Sequence, residues 1–120
     1  MIILLPPSEG KCADGGRGAF RELHPELVGE TRTVLKHLRG LDTAALGKFY
    51  GIKNEEKAPA AHRLNLGVMK AGGVCALERY TGVVYSHLDY GSLCAKKRAA
   101  RRIYVVSGMF GLIAGNTLIP

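Results

Sequence analysis

Three short segments hold residue types suited to binding an anion. Ser8-Glu9-Gly10-Lys11, Ser86-His87 with Asp89 and Tyr90, and Ser107-Gly108 with Gly111 each follow an apolar run. Small residues let backbone N–H groups approach an anion, and a helix N-terminus behind them adds a favourable dipole. Ser8, Lys11, Ser107, Gly108 and Gly111 are therefore the candidate ligand-binding residues, and the ligand class is a phosphate-bearing small molecule or nucleotide. Around Gly10-Lys11 no GxxxxGK[ST] frame exists, so the segment is no P-loop. Plainer readings compete with each piece. Lys11 alone is an ordinary loop lysine, Ser107-Gly108 a tight strand-to-helix turn, and Glu9 with Lys11 a surface pair of about 0–1 kcal/mol. His87 defines no general base without a partner in reach.

A second set is basic. Lys96, Lys97, Arg98, Arg101 and Arg102 fall within seven positions. On a helix Lys97, Arg98, Arg101 and Arg102 share one side, which suits a phosphate backbone and makes them the candidate contacts to double-stranded DNA. Read without a partner, the same set is a solvated helix face. No aromatic residues interleave with it, so stacking on a single strand is unsupported. Leu38-Arg-Gly-Leu-Asp42 partly fits a helix-hairpin-helix, but Asp42 would point a negative charge at the phosphate, and a plain corner is the better reading. His24, His37, His62 and His87 show no ligand spacing with carboxylates, and Cys12, Cys75 and Cys94 form no CxxC pair. No metal site is expected, no cofactor is indicated, and the thiols are read as inert.

The elements that must hold these residues follow from pattern. Met1 to Leu5 is an apolar run ended by Pro6-Pro7 and reads as a buried strand. Tyr80 to Tyr85 is β-branched and aromatic and reads as a second, and Ile103 to Val106 as a third. Between them, Leu27, Val28, Thr31, Val34, Leu35 and Leu38 recur at helical steps after Pro25, with Gly40 as the stop. Asp42 and Asn54 are expected to cap two further helices, the second broken or restarted by Pro59. His62 to Lys70 reads as amphipathic and ended by Gly72-Gly73, Ser92 to Arg102 as helical, and Met109 to Ile113 as the start of another helix. Strands separated by helical crossovers predict an α/β fold with a mixed or partly parallel sheet and flanking helices. If the strands are parallel, the three segments meet outside their carboxyl ends, where open α/β sheets bind ligands.

Composition sets the frame. The 120 residues fit one small domain, with 47% hydrophobic and 22% charged residues, an ordinary globular balance. No apolar run approaches the roughly 20 residues of a membrane span, and Met1 to Leu5 lacks a basic region before it, so a cytosolic protein without membrane contact is expected. Lysine and arginine number 17 against 10 acids, a net charge of +7, which favours an anionic partner.

Leu4-Leu-Pro-Pro-Ser-Glu-Gly-Lys11, Arg79-Tyr-Thr-Gly-Val-Val-Tyr85 and Val106-Ser-Gly-Met-Phe-Gly-Leu112 together resemble the YaaA peroxide-stress protein family, in the expected order. The family's members run to roughly twice this length, a single large domain. In them the third motif leads to an Ile-Pro-Asp-Tyr-Arg stretch, so the chain, ending at Leu118-Ile-Pro120, resembles their N-terminal half and reads as a truncated single domain. The resemblance implies a peroxide-stress protein that limits intracellular free iron and oxidative damage and binds DNA. It carries over Pro7, Ser8, Lys11, Tyr80, Gly82, Tyr85, Ser107, Gly108 and Gly111 as motif positions and assigns no catalytic role. The competing classes are an enzyme acting on a phosphate-bearing small molecule and a non-functional remnant. A half-length fold is expected to leave its C-terminal apolar stretch (Met109, Phe110, Leu112, Ile113, Leu118 and Ile119) without partners and so to self-associate through it.

Overall fold

The computed structural model describes residues 1–13, 15–54 and 56–120. Its strands are β1 (Ile3–Leu5), β2 (Arg17–Ala19), β3 (Gly72–Cys75), β4 (Ile103–Ser107), β5 (Gly111–Ala114) and β6 (Leu118–Ile119). Its helices are α1 (Phe20–Leu23), α2 (Val28–Arg39), α3 (Leu46–Tyr50), α4 (Lys57–Leu66), α5 (Ala76–Arg79), α6 (Val83–Leu88) and α7 (Lys96–Ala100). The chain divides into two compact units, Met1–Gly18 with Gly72–Pro120, and Ala19–Ala71. No described helix is long and apolar enough to cross a membrane.

In the first unit the two most apolar runs lie side by side. β1 pairs parallel to β4, with Ile3 opposite Ile103 and Leu5 opposite Val105, and β4 pairs antiparallel to β5, giving the order β1-β4-β5. The α/β fold with a mixed sheet is as the sequence predicts. A second small sheet has the order β2-β3-β6. Alternation sends Ile103, Val105 and Ile113 into a core with Ala76, Leu77, Tyr80, Tyr85, Ala100 and Ile119. Burying such side chains is worth about 1.5–3 kcal/mol each.

Several readings of this unit need correction. The strand within Met1–Leu5 is not buried: it lies at the edge of its sheet, with Ile3 and Leu4 exposed and Leu5 half-buried. The run Tyr80–Tyr85 is not a strand: Tyr80 is extended, Gly82 turns the chain at φ +110°, and Val83–Leu88 is helical. In a strand, residues 80 and 85 would point to opposite faces roughly 16 Å apart. Here their rings stack, with centroids 5.4 Å apart, and that burial overrides β propensity. Met109–Ile113 begins no helix. Gly108, Met109 and Phe110 form a tight hairpin turn closed by Ser107 opposite Gly111, and β5 follows. Gly72-Gly73 ends no helix either but opens β3. The helix expected over Ser92–Arg102 shortens to Lys96–Ala100. Of the C-terminal apolar residues, Ile113 and Ile119 are buried and Phe110 packs on the core, whereas Met109, Leu112 and Leu118 are exposed.

The second unit follows its signals more closely. A short turn at Pro25–Leu27 leads into α2, which ends at Gly40. The Asp42 carboxylate accepts from the Ala44 N–H, and the Asn54 side chain accepts from the N–H groups of Glu56 and Lys57. Asp42 thereby N-caps the short turn Thr43–Ala45, whereas the cap position of α4 is Glu56 and Asn54 pairs donors at the helix start from two residues before it. The corner at Leu38–Asp42 is thus a capped turn, its Asp42 used locally. Pro59 neither breaks nor restarts α4, because it sits in the first turn, where no intrahelical donor is needed. Phe20, Thr31, Leu35, Leu46 and Ala58 are buried.

Candidate functional site

The site grows from a loop that cannot hold its own shape. Residues 6 to 13 leave β1 with two prolines and no regular pairing, so they need outside support. It comes from the segment 79–82, which runs antiparallel to residues 10–12. The Thr81 N–H donates to the Gly10 carbonyl at 3.0 Å, the Cys12 N–H donates to the Arg79 carbonyl at 2.8 Å, and Lys11 bridges Tyr80. The Tyr85 hydroxyl donates to the Pro6 carbonyl at 2.7 Å and pins the loop's start.

This places Ser8, Lys11, Tyr80, Gly82 and Tyr85 together. The Ser8 hydroxyl accepts from the Gly10 N–H at 3.2 Å. A Cβ at Gly82 would lie 3.0 Å from that hydroxyl, on a backbone that side chains rarely adopt. Only glycine lets the chain turn there against Ser8. The exposed Lys11 ammonium lies 5.5 Å from the centre of the Tyr80 ring, a cation–π arrangement. A half-buried hydroxyl and an exposed cation on one short loop are both groups that can donate to the oxygens of an anion.

Ser107 leaves the same carboxyl edge on the neighbouring strand, because β1 and β4 are parallel. Its hydroxyl is turned onto its own hairpin, accepting from the N–H groups of Met109 and Phe110 at 3.3 Å each. No helix begins behind Ser107-Gly108, so the expected helix dipole is missing, and with Gly111 these residues build a turn. His87 is exposed on α6, its ring Nδ1–H donating to the Val83 carbonyl at 2.8 Å. Arg79, which the sequence did not single out, is 5% exposed and donates to the carbonyls of Cys12, Gly15 and Gly72. No composition or spacing signal marks it; its only flag is that it opens the second motif.

The basic set is a separate surface. Lys97, Arg98, Arg101 and Arg102 are all exposed, and among the described residues none forms an ion pair; the pair the structure shows is His24 with Glu26 at 3.4 Å. The four do not share one helix face, since α7 ends at Ala100. Arg98 and Arg102 instead flank a hollow of about 300 Å³ floored by Met1, Ile3, Ala95, Ala99 and Ile103. Among the described residues no three His, Cys, Asp or Glu side chains are grouped to hold a metal ion. Burial pushes the Cys75 thiol up, and it donates to the Gly115 carbonyl at 2.9 Å. Such a thiol carries less thiolate and reacts slowly.

The first two motifs therefore pack on one another, while the third folds onto its own hairpin. A family model described as peroxide stress protein YaaA matches residues 1–120. The chain belongs to the YaaA peroxide stress protein family. Its relatives include a UPF0246 protein of Streptomyces coelicolor, 39% identical over 129 residues, which cover all of this chain and 48% of that one. A UPF0246 protein of Corynebacterium glutamicum is 34% identical over 124 residues, all of this chain and 49% of that one. An uncharacterized protein of Campylobacter jejuni is 27% identical over 129 residues and 51% of its own length. The chain spans about half the length of the curated relatives it matches. In this YaaA-family chain, Tyr85 gives a test of the site's packing. Burial, and secondarily the neighbouring Tyr80, pushes its hydroxyl up to about 12. Below pH 10 the phenol is protonated whether the chain is folded or unfolded. Above pH 10 the unfolded chain releases that proton first, so stability falls between pH 10 and about 12. Tyr85→Phe is expected to remove this part of the alkaline loss and, by deleting the bond to Pro6, to lower stability at pH 7 by about 1 kcal/mol. Urea melts of both proteins at pH 7 and across pH 9–12 check it; parallel alkaline profiles reject it.

Proposed function

We propose that this chain serves a cytosolic peroxide-stress response that limits free intracellular iron and oxidative damage, and that it engages duplex DNA. The family match across residues 1–120 carries the stress role. The DNA part is supported by the net charge of +7 and by the exposed Lys97, Arg98, Arg101 and Arg102, which form no ion pair among the described residues. Four phosphate contacts predict a log–log salt slope of about −3.6, measured by anisotropy with labelled duplexes. Replacing Arg101 and Arg102 together with alanine should halve that slope and weaken binding evenly across sequences, because phosphate contacts carry no base information. A loss confined to one sequence, or none, rejects these contacts. The iron part is read from the free-iron signal of peroxide-treated cells by electron paramagnetic resonance. It should fall when the chain is expressed in a strain lacking its own family member, and an unchanged signal rejects it.

A second reading, an enzyme acting on a phosphate-bearing small molecule, is favoured by one observation: Ser8 and Lys11 are held in one loop against Gly82 and Tyr80. It prevails if duplex DNA fails to bind at low salt while a nucleotide raises the melting temperature and Lys11→Ala abolishes that rise.

A further inference from the structure

The hollow beside α7 lies at the opposite end of the sheet from Ser8 and Ser107. β1 and β4 run parallel and begin there, with Ile3 paired to Ile103. Residues of α7 and its N-cap form one wall. Small side chains keep the space open, since Ala95 and Ala99 line it where larger residues would fill its 300 Å³ or so. Ile103 is buried beneath it, and Ile3 with the unbranched, adaptable Met1 completes the apolar lining. The rim is held by backbone. The Arg98 N–H donates to the Ala95 carbonyl at 3.0 Å, the Arg102 N–H donates to the Ala99 carbonyl at 2.9 Å, and the Arg102 carbonyl accepts from the Ile3 N–H at 2.8 Å. Both arginines are exposed, form no ion pair among the described residues, and share the lining with no acidic side chain.

This combination selects one chemistry. A guanidinium fork matches the oxygens of a carboxylate or phosphate, and an apolar hollow takes hydrocarbon. A methylene occupies about as much room as a water molecule, about 30 Å³, so a hollow of about 300 Å³ holds a tail of about eight to ten carbons. We propose that the hollow binds a single-chain amphiphilic anion, with its oxyanion headgroup on Arg98 and Arg102 and its alkyl tail on the apolar floor. The inference does not rest on the functional reading above, because the floor has no use in a phosphate-backbone contact, although both ligands would call on the same two arginines.

The test titrates the 120-residue chain with butanoate, hexanoate, octanoate, decanoate and dodecanoate, and with octyl phosphate, each below its micelle concentration. The methyl resonances of Ile3, Ala95, Ala99 and Ile103 should shift and saturate with octanoate or octyl phosphate. Each methylene from butanoate to octanoate should tighten binding about twofold, since an open hollow buries about half of it, and dodecanoate should gain less than about twofold over decanoate. Octanol, with the tail and no charge, should bind at least tenfold more weakly than octanoate, and Arg98→Ala with Arg102→Ala should erase that difference. Ala95→Leu fills the hollow and keeps every charge, so it should weaken octanoate at least tenfold. Arg32→Ala, which removes an exposed cation of the other unit, should change nothing. Should Ala95→Leu fail to keep its circular dichroism, the tail-length series on the unaltered chain decides. The proposal is overturned by the absence of saturable shifts, by affinity indifferent to tail length, by octanol matching octanoate, or by shifts centred on the exposed Leu4 and Leu112 instead. Because Ala95→Leu retains all four basic residues, duplex binding by that variant tests the DNA reading separately.

Discussion

Arg79→Met is expected to destabilise the chain by about 3 kcal/mol. Arg79 is 5% exposed, and its guanidinium donates to three carbonyls on two separate stretches of backbone, those of Cys12 and Gly15 (3.4 Å) on one and of Gly72 (3.1 Å) on the other. Methionine keeps much of the stem's packing but leaves these acceptors without a cationic donor, and a hydrogen bond to a charged group contributes about 1.5–3 kcal/mol. The sum is smaller than three such bonds because water re-satisfies part of the loop. Arg79→Lys should recover little, since one ammonium on a flexible stem cannot reproduce a planar fork aimed at three oxygens. Urea denaturation of the three proteins measures this. A lysine variant as stable as the wild type would show that charge alone, without the fork, fixes the loop.

Gly16→Ala should act on the same region through backbone contact. A Cβ there would lie 2.4 Å from the Gly72 carbonyl carbon and 2.5 Å from its oxygen, and Gly16 sits at φ +138°. Neither backbone can yield cheaply, and the conformation itself disfavours a side chain. Overpacking of this kind costs about 1–3 kcal/mol and the backbone strain about 1 more, which lowers the melting temperature by about 12 °C. Gly15→Ala is the contrast. That residue also has positive φ, at +64°, but meets nothing within 4 Å, so only the backbone part of the loss should remain. Equal losses for the two variants would place the whole effect in conformation and none in the contact with Gly72.

These two residues also mark where the sequence could not be read. β1 and β4 are legible as strands because Met1–Leu5 and Ile103–Val106 are near-continuous apolar runs, but the burial expected of β1 is not found, since Ile3 and Leu4 are exposed. The second unit is legible because its signals are local: Pro25 and Gly40 bound α2, and Asp42 and Asn54 bond to donors two or three residues away. What failed depends on distant partners. Val83-Val84-Tyr85 has strand composition, yet it coils so that Tyr85 reaches Pro6, 79 positions earlier. β3 begins with two glycines that look like a helix stop, and the close approach of Gly16 that explains the first of them lies far away in sequence. β5 was hidden because Met109-Phe110-Gly111 has no alternation, its apolar residues being split between a turn and a strand. Of the site, the motif positions Ser8, Lys11, Tyr80, Gly82 and Tyr85 do come together. Arg79 escaped because a buried arginine donating to backbone looks, in sequence, like any surface arginine.

The pairing of Ile3 with Ile103 has a consequence for synthesis. β1 leaves the ribosome first and its strand partner about 100 residues later, which at roughly 5–20 residues per second is a wait of about 5–20 s. Throughout it, Met1-Ile-Ile-Leu-Leu5 is nascent apolar chain with no strand to join. The Ala19–Ala71 unit, contiguous in sequence, is synthesised whole within that interval and is free to close on itself. A chaperone that holds short hydrophobic peptides near the tunnel exit should therefore crosslink to residues 1–5 until residue 107 has emerged, and release them once β4 is available.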